Sequence, residues 1–171
     1  MTTNTEIERK FLVDPAFAKT LIGGNFEKII QFYLTEGYDP TVRIRLVNMS
    51  EAYATIKGKA NGSECPEFEY KIPYDDGREM RDVLTHTPEV DKHRHHVTYD
   101  DGKVWHLDIF HGDNEGLFMA EIELKSKDEK FELPWWCTEE VTEDKRFKNI
   151  NLSLNPVNRW TTIERAALVA A

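Results

Sequence analysis

From Glu6 to Val13 the chain alternates. Polar Glu6, Glu8 and Lys10 interleave with apolar Ile7, Phe11 and Val13. A period of two belongs to a strand with two unlike faces. The same period, or a β-rich composition, defines segments near 4–13, 27–36, 41–49, 52–60, 65–73, 89–99, 103–111 and 117–125. Asp-Gly within YDDGK (99–103) marks a tight turn between the sixth and seventh of them, and NGSE (61–64) separates the fourth and fifth. Short gaps favour antiparallel neighbours. Eight strands at this spacing predict a barrel or a sandwich.

Helix signals fall between and after the strands. Asp14-Pro15 offers an N-cap and a first-turn proline, and Gly23 a stop. Ser126 to Glu129 reads as a capping box leading into KFEL before Pro134. TEDKRFKNINLSL (142–154) reads as helical, and Asn155-Pro156 caps a last helix through Trp160, Ile163 and Leu168. The expected class is mainly β (α+β). One domain spans 1–171, with barrel strands within about 4–125 and a helical part over 126–171.

Residues i, i+2 and i+4 of a strand share a face. One face of each strand collects charge: Glu6, Glu8 and Lys10; Gln31, Tyr33 and Thr35; Arg43 and Arg45; Thr55, Lys57 and Lys59; Glu67, Glu69 and Lys71; Lys92, Arg94 and His96; His106 and Asp108; Glu121, Glu123 and Lys125. The opposite faces are mostly apolar, as in Val42, Ile44 and Leu46 or Ala120, Ile122 and Leu124. A polar face in water explains any one of these strands. It does not explain the set. Glu-x-Glu recurs three times, beside Arg-x-Arg and Lys-x-Arg. Like charges on one face repel, at most about 4 kcal/mol at 4 Å and an effective dielectric near 20. Repeated frustration of this kind suggests a ligand that relieves it. If the sheet closes with the charged face inward, the lumen holds both signs. Clustered carboxylates suit hard divalent cations, Mg²⁺ or Mn²⁺. Clustered Arg and Lys suit phosphate oxygens. Together they suit a metal-complexed polyanion such as a triphosphate. The apolar outer face then needs cover, from the appended helices or from a second copy of the chain in a homodimer.

Charge and composition narrow the partners. The net charge of −9 argues against a general nucleic-acid or anionic-membrane binder. No apolar run approaches the roughly 20 residues of a membrane span. The first residues lack a basic region followed by an apolar one, so a cytoplasmic protein is expected. Cys65 and Cys137 stand far apart, without metal or redox spacing, and read as reduced thiols. HRHH (93–96) lacks a spaced partner to complete a metal site and reads as exposed histidines on a strand. Trp135-Trp136 after Pro134 reads as a packing pair.

In order along the chain, Glu6-x-Glu8-x-Lys10, Arg43-Ile-Arg45, TIKG with Lys57, EFEY with Glu67 and Glu69, DKHR with Lys92 and Arg94, LDIF with Asp108 and AEIEL with Glu121 and Glu123 resemble the CYTH superfamily, the triphosphate tunnel metalloenzymes. EEVTEDKRFKNINL (139–152) resembles the short bacterial members, with Phe147 in place of a usual tyrosine. The resemblance implies a closed eight-stranded antiparallel barrel enclosing a tunnel. Carried over by position, Lys10, Arg43, Arg45, Lys57, Lys92 and Arg94 hold the phosphates. Glu6, Glu8, Glu67, Glu69, Glu121 and Glu123, with Asp108 assisting, hold Mg²⁺ or Mn²⁺. Tyr33 matches a tyrosine considered as proton acceptor, and Lys92 joins it as a catalytic candidate. The implied activity is metal-dependent hydrolysis of a small phosphate-rich substrate, first inorganic tripolyphosphate. The alternatives are a nucleoside or thiamine triphosphatase, a class IV-type adenylate cyclase, and a non-catalytic polyphosphate-binding module. The segment after Pro156 is longer than in compact members, and a cap or an oligomer contact is expected there.

Overall fold

Nine strands form in the computed structural model, which describes residues 5–35, 39–59, 61, 64–85 and 87–169. They are β1 (Thr5–Val13), β2 (Glu27–Tyr33), β3 (Thr41–Val47), β4 (Glu51–Lys57), β5 (Glu64–Ile72), β6 (Val90–Thr98), β7 (Val104–Phe110), β8 (Phe118–Glu123) and β9 (Cys137–Glu140). Four α-helices accompany them: α1 (Pro15–Thr20), α2 (Tyr74–Leu84), α3 (Asn149–Leu154) and α4 (Thr162–Val169). Neighbours run β5-β4-β3-β2-β6-β7-β8-β1, and β1 returns to β5, so eight antiparallel strands close into a barrel. All eight expected strands are present, within a few residues of the expected bounds.

Closure depends on how β1 shares its edges. One edge lies along β8, with Glu8 opposite Glu123 and Lys10 opposite Glu121. The other edge is divided. Its start pairs with β5, Glu6 facing Cys65, and its end pairs with β9, Val13 facing Cys137. Strand β9 lies in a stretch expected to be helical. Four residues show too little period to announce a strand. It forms because the end of β1 runs past β5 and would otherwise leave backbone groups unpaired.

The outer face is covered largely by the chain itself. Phe11, Trp105, Leu107 and Ile122 pack with Trp136, and Phe17 of α1 and Phe131 close over them. Asp14 caps α1 by accepting from the backbone N–H of Ala16 and Phe17. On the other side α2 lies over Phe32, Ile44, Leu46 and Ala52, bringing Tyr74 and Met80 against them. The sequence reading leaves α2 unassigned, because Asp75-Asp76-Gly77 resembles a turn. Gly77 costs the helix about 1 kcal/mol relative to alanine. It also permits close approach: a Cβ there would lie 2.7 Å from the Ala52 Cβ and 3.0 Å from Leu46 Cδ2. Gly77→Ala is therefore expected to destabilise by about 1–3 kcal/mol through overpacking. A urea titration checks this; a gain in stability would mean that α2 tolerates a wider seat.

The capping box at 126–129 does not start a helix. Its turn is closed by Glu129 N–H donating to the Ser126 carbonyl, and the Glu129 carboxylate binds Lys103 and the backbone N–H of Lys125 instead. The helical stretch after 142 is broken: a 3₁₀ turn at Lys145–Phe147, then α3. Asn155 ends α3, and the last helix is capped by Thr161 and Glu164, whose backbone N–H groups donate to each other's side chains.

The segment after Pro156 has a definite place. Leu12, Val90, Phe110 and Met119 continue the inward faces of β1, β6, β7 and β8 toward one barrel end. Val141, Phe147, Leu152, Val157 and Trp160 pack onto them. The C-terminal segment is thus an apolar plug on one side of that end. Phe147, buried at 1 %, serves in it as a packing ring. Among the described residues no helix is long and apolar enough to cross a membrane.

Candidate active site

Inward-facing charge fills the lumen. A cavity of about 100 Å³ is lined by Glu6, Glu8, Lys10, Arg43, Arg45, Lys57, Glu67, Glu69, Arg94, Glu121, Glu123 and Asn149. Eleven of these twelve are residues expected from the sequence, and Asn149 of α3 is the addition. A larger chamber of about 680 Å³ shares Glu6, Glu8, Lys10, Arg43, Lys57 and Asn149 with it. Tyr33 and Lys59 of the barrel side, and Thr142, Lys145 and Lys148 of the C-terminal segment, line its remaining walls.

The charges form a network. Lys10 Nζ lies 2.6 Å from Glu121 Oε1 and 2.8 Å from Glu8 Oε1. Arg94 Nη2 donates to Glu121 Oε2 at 2.6 Å. Burial pushes the Glu121 carboxyl up, but Lys10, Arg94 and Lys92 outweigh it and hold it well below the usual carboxylate range. Lys57 bonds Glu6 and sits 2.7 Å from Glu67. Arg43 donates to Thr55 Oγ1 at 3.2 Å, and Thr55 donates to Glu69 at 2.9 Å.

Two features are left unbalanced. Among the described residues Arg45 makes no ion pair, and its Nε is buried without a partner. Burial first, then neighbouring Arg43 and Arg94, pushes its guanidinium down to about 10. The carboxylates are also crowded. Burial, with Glu67 beside it, raises Glu6 despite Lys57. Burial, then Glu6 and Glu8, raises Glu123. An anion would satisfy the first feature and a divalent cation the second. Among the described residues no three metal-ligating side chains already converge as a cation site, because lysine and arginine occupy the carboxylates.

Three expected site residues sit differently from the reading. Lys92 and Asp108 line neither cavity; both are fully buried below the lumen. Asp108 accepts from Lys92 and from Arg94 Nε and Nη2, the latter two at 2.7 Å, so both its oxygens are engaged by cations. Lys92 touches Asp108 instead of the cavity, because it lies two residues before Arg94 on β6, opposite Phe110 and one layer deeper. Tyr33 does line the chamber. Burial raises its phenol against the pull of Arg43 and Lys57, so it keeps its proton, and its oxygen accepts from Gln31 Nε2 at 3.4 Å.

Two of the three histidines in HRHH are less exposed than expected, while His96 is exposed. His95 is buried, and His93 stacks on Phe26 at 3.9 Å between centroids. His106, on the inward face of β7, lies 3.4 Å from Arg94 Nη1 and 4.0 Å from Glu123. Lys145, Lys148 and Asn149 were not legible as lining residues, since nothing in their local pattern tells where the C-terminal segment folds back.

A closed antiparallel barrel whose lumen pairs arginine and lysine with glutamate defines a polyanion-binding tunnel protein. The CYTH domain family model matches residues 4–153, and the chain belongs to that family. It is 38% identical over 155 residues to an inorganic triphosphatase of Acetivibrio thermocellus, covering 91% of this chain and 97% of the relative. An inorganic triphosphatase of Nitrosomonas europaea is 36% identical over 155 residues, covering 88% and 98%. The crystal structure of the inorganic triphosphatase NE1496 superposes with a TM-score of 0.61 at 34% identity, covering 87% of this chain and 94% of that one.

Proposed function

We propose that this protein hydrolyses a triphosphate, inorganic tripolyphosphate first, with Mg²⁺ or Mn²⁺ bound by the tunnel glutamates. The observation that carries it is Arg45, a guanidinium held among other cations with a buried, unpartnered Nε. The names of the two curated relatives support the same reaction.

Arg43, Arg45, Lys10, Lys57 and Arg94 would bind the phosphate chain and stabilise charge on the leaving group. Phosphate oxygens entering the lumen compete with glutamate for Lys10, Lys57 and Arg43. That exchange would free Glu6, Glu8, Glu67, Glu69, Glu121 and Glu123 to hold the metal. A bound divalent metal supplies acidification of water and polarisation of phosphate oxygens. Asp108, anchored by Lys92, fixes Arg94 from below. Tyr33 is positioned to donate a hydrogen bond to a phosphate oxygen. The room beside Tyr33 and Ile150 in the chamber favours a second reading, an organic triphosphate with its tail there. Phosphate release from tripolyphosphate, ATP and thiamine triphosphate, each with Mg²⁺ and Mn²⁺, separates the two. No release from any of them under either metal would leave a binding module.

Arg45→Ala is expected to weaken transition-state binding by about 1.5–3 kcal/mol, the range for hydrogen bonds to charged groups. Arg9 points outward to Glu140, 37 % exposed, and Arg9→Ala should change kcat/KM less than two-fold, roughly the scale of a surface pair. Equal losses at the two positions would mean that the phosphate face is misassigned.

A further inference from the structure

Asn149 lines the lumen, and the chemistry proposed above does not use it. Among the twelve described residues around the smaller cavity it alone carries no charge, and it alone comes from outside the barrel strands. It lines the larger chamber as well, so it sits where the two meet. Its Oδ1 is buried and accepts no hydrogen bond from the described residues. A buried acceptor left unpaired is costly, and native structures keep few of them. The fold holds this amide firmly. Phe147 and Leu152, on either side of it in the chain, are buried in the apolar plug. Asn114, itself buried, donates from Nδ2 to the Leu152 carbonyl at 3.1 Å and accepts from the Val157 N–H at 3.0 Å. A group anchored in this way suits a task that needs fixed geometry.

We infer that Asn149 orients the attacking water, its Oδ1 accepting a hydrogen bond from the molecule that displaces the terminal phosphoryl group. This inference rests on the triphosphatase reading and adds a residue to it. Phosphate oxygens are acceptors, whereas water brings donors, so an amide oxygen facing the lumen is matched by water and not by the phosphate chain. The lumen glutamates accept as well, but each is paired with a cation or crowded by other carboxylates. Their charge also repels a polyanion, and an amide accepts without that repulsion. Tyr33 of the chamber already accepts from Gln31 at 3.4 Å. The step balances without a proton on Asn149. The water oxygen bonds to the terminal phosphorus as the bond from that phosphorus to the bridging oxygen breaks, and the electron pair leaves with the diphosphate. One water proton stays on the new phosphate, pointing at Oδ1, and the other passes to one of its non-bridging oxygens. Orientation of this kind is what phosphoryl transfer asks of a protein, since little covalent chemistry falls to the side chains.

The test is Asn149→Ala beside Asn149→Asp, which keeps an acceptor oxygen in nearly the same place and adds a charge. Rates on tripolyphosphate are taken from single turnovers as well as the steady state, so that product release does not mask the chemical step. Calorimetric titration with tripolyphosphate in EDTA reads binding without turnover, and a melting curve checks each fold. In Asn149→Ala the rate of the chemical step is expected to fall about ten- to one-hundred-fold, the scale of one hydrogen bond to the reacting groups. Its KM and calorimetric affinity should stay within about two-fold of the parent, and its Tm should hold, because Oδ1 bonds no described residue. In Asn149→Asp the rate should recover most of that loss while KM rises, since the added charge repels the substrate. An unchanged rate in Asn149→Ala would overturn the role. So would weakened binding with the rate preserved, which would make Asn149 a phosphate ligand. Equal rate losses in both variants would show that the acceptor oxygen is not what matters, and a lowered Tm in both would assign Asn149 to the fold. A parent that releases no phosphate from any triphosphate rejects the hydrolase and this role with it. A parent that hydrolyses tripolyphosphate while Asn149→Ala keeps the parental rate rejects this role alone.

Discussion

Glu123→Gln is expected to lower turnover by about two to three orders of magnitude, the scale for removing one electrostatic stabiliser from an active site. The protein should stay folded. Glu123 is on the lumen wall at the end of β8, its side chain 63 % exposed, and His106 Nδ1 lies 4.0 Å away on a ring that burial and Arg94 push toward the neutral form. No buried partner is stranded by the change. The amide keeps the shape and loses the charge that binds a hard cation. Glu8→Gln should behave similarly, although it also loosens Lys10, 2.8 Å away. Titration with Mn²⁺ should show weakened metal binding beside the lost turnover. Near-parental rates at limiting Mg²⁺ in both variants would mean that these carboxylates do not hold the metal.

Asp108→Asn should have the largest effect on stability. Asp108 and Lys92 are wholly buried, and the carboxylate accepts from Lys92 and from two nitrogens of Arg94. Burial pushes the Asp108 carboxyl up, but Arg94 and Lys92 outweigh it and keep it below the usual range. Removing one partner of a buried ion pair costs about 3–5 kcal/mol. At about 2–4 °C per kcal/mol for a chain of this size, Tm should fall by roughly 6–20 °C. Arg94 retains Glu121, whereas Lys92 is left without a carboxylate. Burial, then Arg94, already pushes Lys92 down to about 8 despite Asp108. A lysine depressed in the folded state releases its proton before the unfolded chain does. Stability of the variant should therefore rise with pH from below that depressed value toward the unfolded pKa near 10.4, where the unfolded state binds more protons. The parent's acid limb has the same sign, stability rising with pH, but lies at a lower range. Asp108 and Glu121 are depressed carboxyls, so their contribution is complete above about pH 4 and is lost as pH falls through their folded values. A melting series over pH checks both limbs. A Tm within 2 °C of the parent would sink the view that Asp108 holds the floor of the tunnel.

These two variants separate residues that look alike in the sequence. Glu123 and Asp108 are both acids on the charged face of a strand, and the sequence reading treats both as metal ligands. The barrel puts one at the lumen wall and the other beneath it. Lys57 and Lys92 divide in the same way, one bonding Glu6 at the cavity and the other sealed under Arg94. Strand period says which face a side chain is on. It does not say how deep along the axis the residue falls. That depth comes from the register between strands, which is a long-range property.

Local pattern was sufficient for the barrel strands and the sign of the lumen, because a period of two forces alternate residues to one side. Repeated like charges on that side are costly unless something binds between them. Helix α1 was legible for a similar reason, since Asp14-Pro15 carries its own stop and start chemistry. The helix over Gly77 and the four-residue strand at Cys137 were not. One exists because a flat patch at Ala52 accepts a backbone at close range, and the other because β1 outruns β5. The chamber belongs with them. Lys145 and Lys148 read as ordinary surface lysines until Phe147, Val157 and Trp160 bury themselves against Leu12 and Phe110 and carry that segment across the barrel end. Burial of an apolar plug is a property of the closed barrel, so the position of the charges beside it could be set only after closure.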